Sequence, residues 1–167
     1  MTVFGESVTL PHAALAGADW ADGWTLVLPH GRPTALQAAH RMLGNSPAWV
    51  RLLMTLRNRI VALFGLKTAG VAAGAEGQIG GFPVVSERDD QVVLGFNDRH
   101  LDFRIVIDVV LESAGGSRVS VTTLVDRHNL FGRFYIAAVT PFHRLIVTSA
   151  LARLAAGAPS LSAPASG

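Results

Sequence analysis

The chain has 167 residues, half of them hydrophobic and 16% charged, and it has no cysteine. This composition suits one globular domain with a real core and excludes a disordered chain, disulfides, thiolate metal sites and a cysteine nucleophile. The pI of about 9.9 reflects late-titrating arginines, since the formal net charge is only +2 and the basic residues are scattered from Arg32 to Arg153 with no nucleic-acid stripe.

Residues up to Asp19 mix small and polar types around Pro11 and read as a loosely structured lead-in. The segment Met1–Ser7 has neither a basic n-region nor a continuous apolar core, so no secretory signal is expected and a cytoplasmic location is the reading. Trp24 to Leu28 is a short β-prone run ended by Pro29. Pro33 then opens a helix carrying Leu36, Ala39, His40 and Leu43, which Gly44-Asn45 ends. Ser46 caps a second helix with Pro47 in its first turn; Trp49, Val50, Leu53, Leu56, Ile60, Leu63 and Phe64 give it a broad apolar face, and Gly65 stops it. The span 65–81 is a glycine-rich loop with room for one short strand. It is no phosphate loop, because no Gly-Lys-Ser or Gly-Lys-Thr follows and it leads into a strand.

An antiparallel meander follows. Phe82 to Glu87 turns at Arg88-Asp89-Asp90 into Gln91 to Asn97, and Asp98-Arg99 turns into the longest hairpin, His100 to Glu112 with Arg118 to His128. Setting Glu112 opposite Arg118 brings Asp108 to Thr122, Arg104 to Asp126 and Asp102 to His128 on one face. Leu111–Val119, Val109–Val121, Ile107–Thr123 and Ile105–Val125 then share the other. Setting Asn97 opposite His100 puts Phe96 on Leu101, Leu94 on Phe103 and Val92 on Ile105, on the same dry side. A one-residue slip would scramble both faces, so the agreement predicts a sheet with one polar and one apolar side.

Asn129 caps a final helix from Leu130 to Ala155, with Leu130, Phe134, Ala138, Phe142, Leu145, Ile146 and Ser149 near one side and Pro141 inside it as a kink. Its Pro141, His143, Arg144 and Arg153 suit a helix laid on a core better than a membrane span. The domain reading is residues 1–156, with 157–167 as a disordered tail of small residues, Ser and Pro.

The strings Pro47-Ala48-Trp49-Val50, Leu56-Arg57-Asn58-Arg59, Phe64-Gly65-Leu66-Lys67 and Arg99-His100-Leu101-Asp102-Phe103-Arg104 run through most of the chain. Thr123-Leu124-Val125, His128-Asn129, Gly132-Arg133-Phe134-Tyr135 and Pro141-Phe142-His143-Arg144 continue them. Together they resemble a bacterial family known as domain of unknown function 2867. The order of elements resembles the helix-grip fold of the START lipid-transfer domains, pollen allergens and polyketide cyclases. The resemblance implies an α+β fold: a curved antiparallel sheet wrapped around a long C-terminal helix, two short helices after the first strand, and an apolar cavity between sheet and helix. It implies no established activity. Some relatives look like appendages to nicotinamide-binding reductase domains, which makes such a reductase a candidate partner.

Three functional readings follow. The first is a binding module for a small hydrophobic or amphipathic molecule, lined by Phe82, Phe96, Phe103, Phe134, Tyr135, Phe142 and His143, with Arg127 at the mouth to anchor a carboxylate or phosphate. The second is a cyclase- or hydratase-like enzyme with His143 or Tyr135 as acid/base. The third is a peripheral membrane or partner-docking protein using the second helix, whose arginines flank an apolar face. The expected partners are a small molecule and, as a further candidate, a second copy in a homodimer; nucleic acid and stable membrane insertion are not expected. No catalytic constellation, cofactor or metal is assigned. Asp102, Arg104, Asp126 and His128 read as a solvated cross-strand ladder. His100, His128 and His143 with Asp102 lack metal-ligand spacing.

Overall fold

A computed structural model describes residues 2–44, 77–113 and 115–157. The described strands are β1 (Val3–Glu6), β2 (Trp20–Leu28), β3 (Gln78–Ile79), β4 (Phe82–Glu87), β5 (Gln91–Asn97), β6 (Leu101–Leu111) and β7 (Ser117–Arg127). They form one antiparallel sheet in the order β1-β2-β7-β6-β5-β4-β3. Helix α1 (Ala35–Leu43) and the long C-terminal helix α2 (Leu130–Ala156) lie against its apolar face. The fold is therefore α+β, with the meander and terminal helix in the expected order. The second predicted helix, most of the glycine-rich loop and nearly all of the predicted tail lie outside the described residues.

Local chemistry sets the helix ends. Thr34 begins α1: its hydroxyl accepts from the Gln37 amide and the Gln37 side chain accepts from the Thr34 amide, a reciprocal capping box. Pro33 thus stands just outside the helix it was expected to open. Asn129 caps α2 by accepting from the Gly132 amide at 3.0 Å. The buried side of α2 (Ile136, Val147, Ala150, Leu151 and Leu154) seats it on the sheet. Leu130, Phe134, Phe142 and Leu145 face outward and are 52–83% exposed. By length and hydropathy α2 meets the criteria for a membrane span; its sheet-facing side is committed to the core.

Both hairpin registers differ from the sequence expectation by two residues. The β6–β7 hairpin closes at Leu111 and Ser117, because the Glu112 amide donates to the Gly116 carbonyl and the Gly115 amide to the Glu112 carbonyl, both at 3.0 Å. Gly115 takes a positive φ in that turn. Asp108 consequently meets Ser120, and Asp102 meets Asp126. Across β5 and β6, Val92 meets Ile107 and Phe96 meets Phe103. A shift of two preserves side-chain parity, so every residue keeps its face while changing its partner. Glu112 and Arg118 still pair at 2.7 Å, now across a diagonal. The expected Arg104–Asp126 pair does not form: Arg104 Nη1 donates to the Phe96 and Phe103 carbonyls at 3.0 and 2.8 Å.

The lead-in is ordered, contrary to expectation. Val3–Glu6 pairs with β2, and the following segment crosses the outer face of the sheet. There Ala18, Val93, Val106 and Leu124 form a second buried cluster, with Val8, Ala14, Leu15 and Ala21 against it. Pro11 and the small residues suit a chain lying flat on a sheet, which composition alone reads as loose. The outer face is thus partly covered and not a plain solvated ladder. Asp19 fastens the end of the crossing. Its carboxylate accepts from the Arg127 backbone N–H at 3.2 Å and Nε at 2.9 Å, and Arg127 Nη2 donates to the Asp19 carbonyl. Burial works to raise the Asp19 pKa, but the Arg127 hydrogen bonds and charge outweigh it and hold the carboxyl below its usual value.

Removing this clamp tests it. Asp19→Ala is expected to cost about 1 kcal/mol, since the pair is only partly buried, and to lower Tm by roughly 3 °C in a thermal melt. The lowered pKa gives the sign with pH: the contribution is complete above the unfolded carboxyl pKa near 3.9 and is lost as pH falls through the folded value. The gap between wild type and Asp19→Ala should therefore close in acid.

Candidate functional site

Pairing lays the helix-facing residues of the sheet in rows running across the strands. One row reads Trp20, Val125, Phe103 and Phe96. Phe82 on β4 extends it, with its ring 5.7 Å from that of Phe103; Phe96 and Phe103 stand 5.5 Å apart. Leu101, Ile136 and Tyr135 close around this row at the N-terminal end of α2. The four aromatic residues are each half-buried, although they face the helix layer.

The neighbouring row begins with Asp22 and Thr123, then Ile105 and Leu94. A carboxylate therefore stands on the apolar side of the sheet, between Trp20 and Trp24 along β2. Its side chain is 14% exposed. Such a group needs compensation. The Trp24 indole N–H donates to Asp22 Oδ2 at 2.7 Å, and from α2 come His143 Nε2 at 3.6 Å and Arg144 Nε at 3.9 Å. His143 also meets the Trp20 ring edge-on at 5.8 Å. Its Nε2 is buried and makes no hydrogen bond. Burial is the main influence on this imidazole and lowers its pKa; Asp22 opposes that shift and Arg144 adds to it. A neutral imidazole beside a carboxylate, next to an aromatic floor, can accept a proton or hydrogen-bond a polar group.

The sequence-derived residues fall into three sets. Phe82, Phe96, Phe103 and Tyr135 gather at the aromatic row, and His143 sits one row away. Phe134 and Phe142 lie on the outer side of α2, 76% and 52% exposed. Arg127 opposes Leu101 and is engaged by Asp19. Trp20, Asp22 and Trp24 were missed. Their signal was the alternation Trp20, Asp22, Trp24, Leu26, Leu28, which extends β2 by four residues; the aspartate in the middle broke the apolar pattern.

On the opposite face a polar depression of about 290 Å³ lies between the crossing segment and the sheet, lined by residues including Glu6, Thr9, His12, Asp108, Ser120 and Thr122. Thr25 ties it together through Glu6 and Ser120. The carboxylates there are already bonded: Glu6 by Thr25, and Asp108 by Gln91 at 2.8 Å.

The family described as "Protein of unknown function (DUF2867)" matches residues 14–150, and the chain belongs to it. Its match runs from the crossing segment into α2 and includes Asp22, the aromatic row and His143. No curated protein and no solved structure matches the chain.

The Asp22–His143 contact has a direct readout. In an NMR titration His143 should titrate below 6.5, and Asp22→Asn should lower its pKa further by removing the one influence that raises it. Folding stability linked to His143 should be complete above pH 6.5 and fall as pH drops from there through the folded pKa.

Proposed function

We propose that this protein binds a small amphipathic molecule on the helix-facing side of its sheet. The apolar body would lie on Trp20, Phe103, Phe96 and Phe82, and a polar group would reach Asp22 and His143. The observation that carries this reading is a half-buried aromatic row beside a carboxylate–imidazole pair whose Nε2 has no hydrogen-bond partner. A purely structural core would gain stability from apolar residues at positions 22 and 143, whereas a polar pair beside aromatic surface suits ligand orientation. The Asp22–His143 contact also favours a second reading, in which His143 takes a proton from the bound molecule while Asp22 orients the ring. Tyr135 packs against the same cluster as Trp20, Phe96 and Phe103.

The probe is 1-anilinonaphthalene-8-sulfonate, which has apolar rings and one charged group. Wild type should enhance its fluorescence saturably. Phe96→Ala should weaken binding roughly fivefold, as expected for losing about 1 kcal/mol of aromatic contact. His143→Gln should alter affinity with little change in far-UV circular dichroism. Equal binding by wild type and both variants would place the dye elsewhere and remove the support for this site.

A further inference from the structure

The outer face of the sheet holds another cluster, where β6 begins and β7 ends. Asp102 and Asp126 are direct cross-strand partners. His128 follows on from β7, and its Nε2 stands 3.5 Å from Asp102 Oδ2 and 4.0 Å from Asp126 Oδ2. One ligand atom from each of the three residues lies within 4.8 Å of the others. Two carboxylates directly opposed across a ladder repel each other. Arg104, which sequence pairing assigned to Asp126, donates instead to backbone carbonyls. Arg127 is turned to Asp19.

The orientation of the imidazole sharpens the picture. His128 Nδ1 faces the Arg99 carbonyl at 3.4 Å. A carbonyl only accepts, so the neutral tautomer that hydrogen-bonds it has its proton on Nδ1, and in that tautomer the Nε2 lone pair points at the two carboxylates. In that tautomer lone pairs from three side chains converge on a point that a cation would satisfy, in place of a proton on Nε2. A ring N–H held by a backbone carbonyl is also how metal-ligating histidines are commonly oriented. The crossing segment holds Asp126 from above: a Cβ at Gly17 would collide with Asp126 Oδ2, so glycine there leaves the carboxylate its place.

We propose that Asp102, Asp126 and His128 form a binding site for a first-row divalent transition-metal ion of the Zn²⁺ class. Bonds of about 2.0–2.2 Å place neighbouring ligand atoms roughly 3.0–3.5 Å apart, so the separations here need only small side-chain rotations. One imidazole nitrogen with two carboxylates suits Zn²⁺ or Mn²⁺ better than Ca²⁺, which takes six to eight oxygens. Three protein ligands leave a coordination position for water or an incoming oxygen. Sequence spacing hid this site because its ligands meet across a ladder, not along a helix turn.

The test is isothermal titration of zinc into the chelator-stripped full chain at pH 7.5. One ion should bind per chain. Asp126→Asn and His128→Gln should each weaken binding at least about tenfold, whereas His30→Gln, at an exposed position outside the cluster, should not. Co²⁺ should give a visible d–d absorption band that both cluster variants abolish. Asp102→Asn replaces Asp126→Asn if circular dichroism shows that the latter does not fold. Absence of zinc binding by wild type, or equal binding by wild type and His128→Gln, would overturn the site. Calcium binding as tight as zinc would overturn the assignment of ion class.

Discussion

Pairing between β6 and β7 is the constraint from which both faces of this protein follow. Each is 11 residues long, and each supports a further strand on its other side, β5 and β2 respectively. In antiparallel pairing, directly opposed side chains share a face, so the parity fixed at this one ladder is handed outward to β2 and β5. Ile105, Ile107 and Val109 with Val119, Val121 and Val125 then form a mostly apolar floor for the helices, with buried Thr123 among them. Asp102, Arg104 and Asp108 with Ser120, Thr122 and Asp126 go to the other side. Neither helix nor crossing segment has a place to settle until that parity is set.

Two unlike environments result. On the helix side, the chain spends much of its aromatic content at one end of the sheet and leaves the opposite end to aliphatic packing by Leu26, Leu28, Val109 and Val119. The difference is chemical as well as spatial: branched aliphatic residues fill a core, while flat rings present faces on which another flat or apolar molecule can lie. Asp22 and His143 join that end through β2 and α2, so their separation depends on how the helix is seated. Arg153 contributes to that seating by donating to the Met42 carbonyl of α1, far along the helix from His143. On the other side, the crossing segment shelters a small apolar cluster and frames the carboxylates, giving a nominally wet surface its own fixed geometry.

Period-two alternation made the meander, the faces of its strands and the order of elements legible in the sequence. The Asn129 cap was equally plain. Register was not, because it depends on where the turn closes: the loop 112–116 admits pairings two residues apart that satisfy the same alternation. The aromatic grouping of Phe82, Phe96 and Phe103 survived that error because parity survived it. Asp22 was hidden for the opposite reason, since an aspartate in an otherwise apolar strand reads as an end, not as a polar point inside the layer. The role of residues 2–19 was also invisible: this segment's contacts are to β2, β7 and the outer face, and nothing local announces them. Arg127 illustrates the same limit, because its partner Asp19 lies 108 residues away in the chain.

The margins of the sheet carry a further consequence. Its outermost described strands are its shortest, four residues in β1 and two in β3. Short borders offer few unpaired backbone groups to another chain, a common defence against edge-to-edge assembly. β1 also covers Gly23–Leu26 in the middle of β2, whose nine residues include two tryptophans and three leucines or valines. Without Val3–Glu6, that longer and more apolar strand would become the border. The first few residues of the chain, which look dispensable, therefore keep the middle of an apolar strand from standing at the border of the sheet.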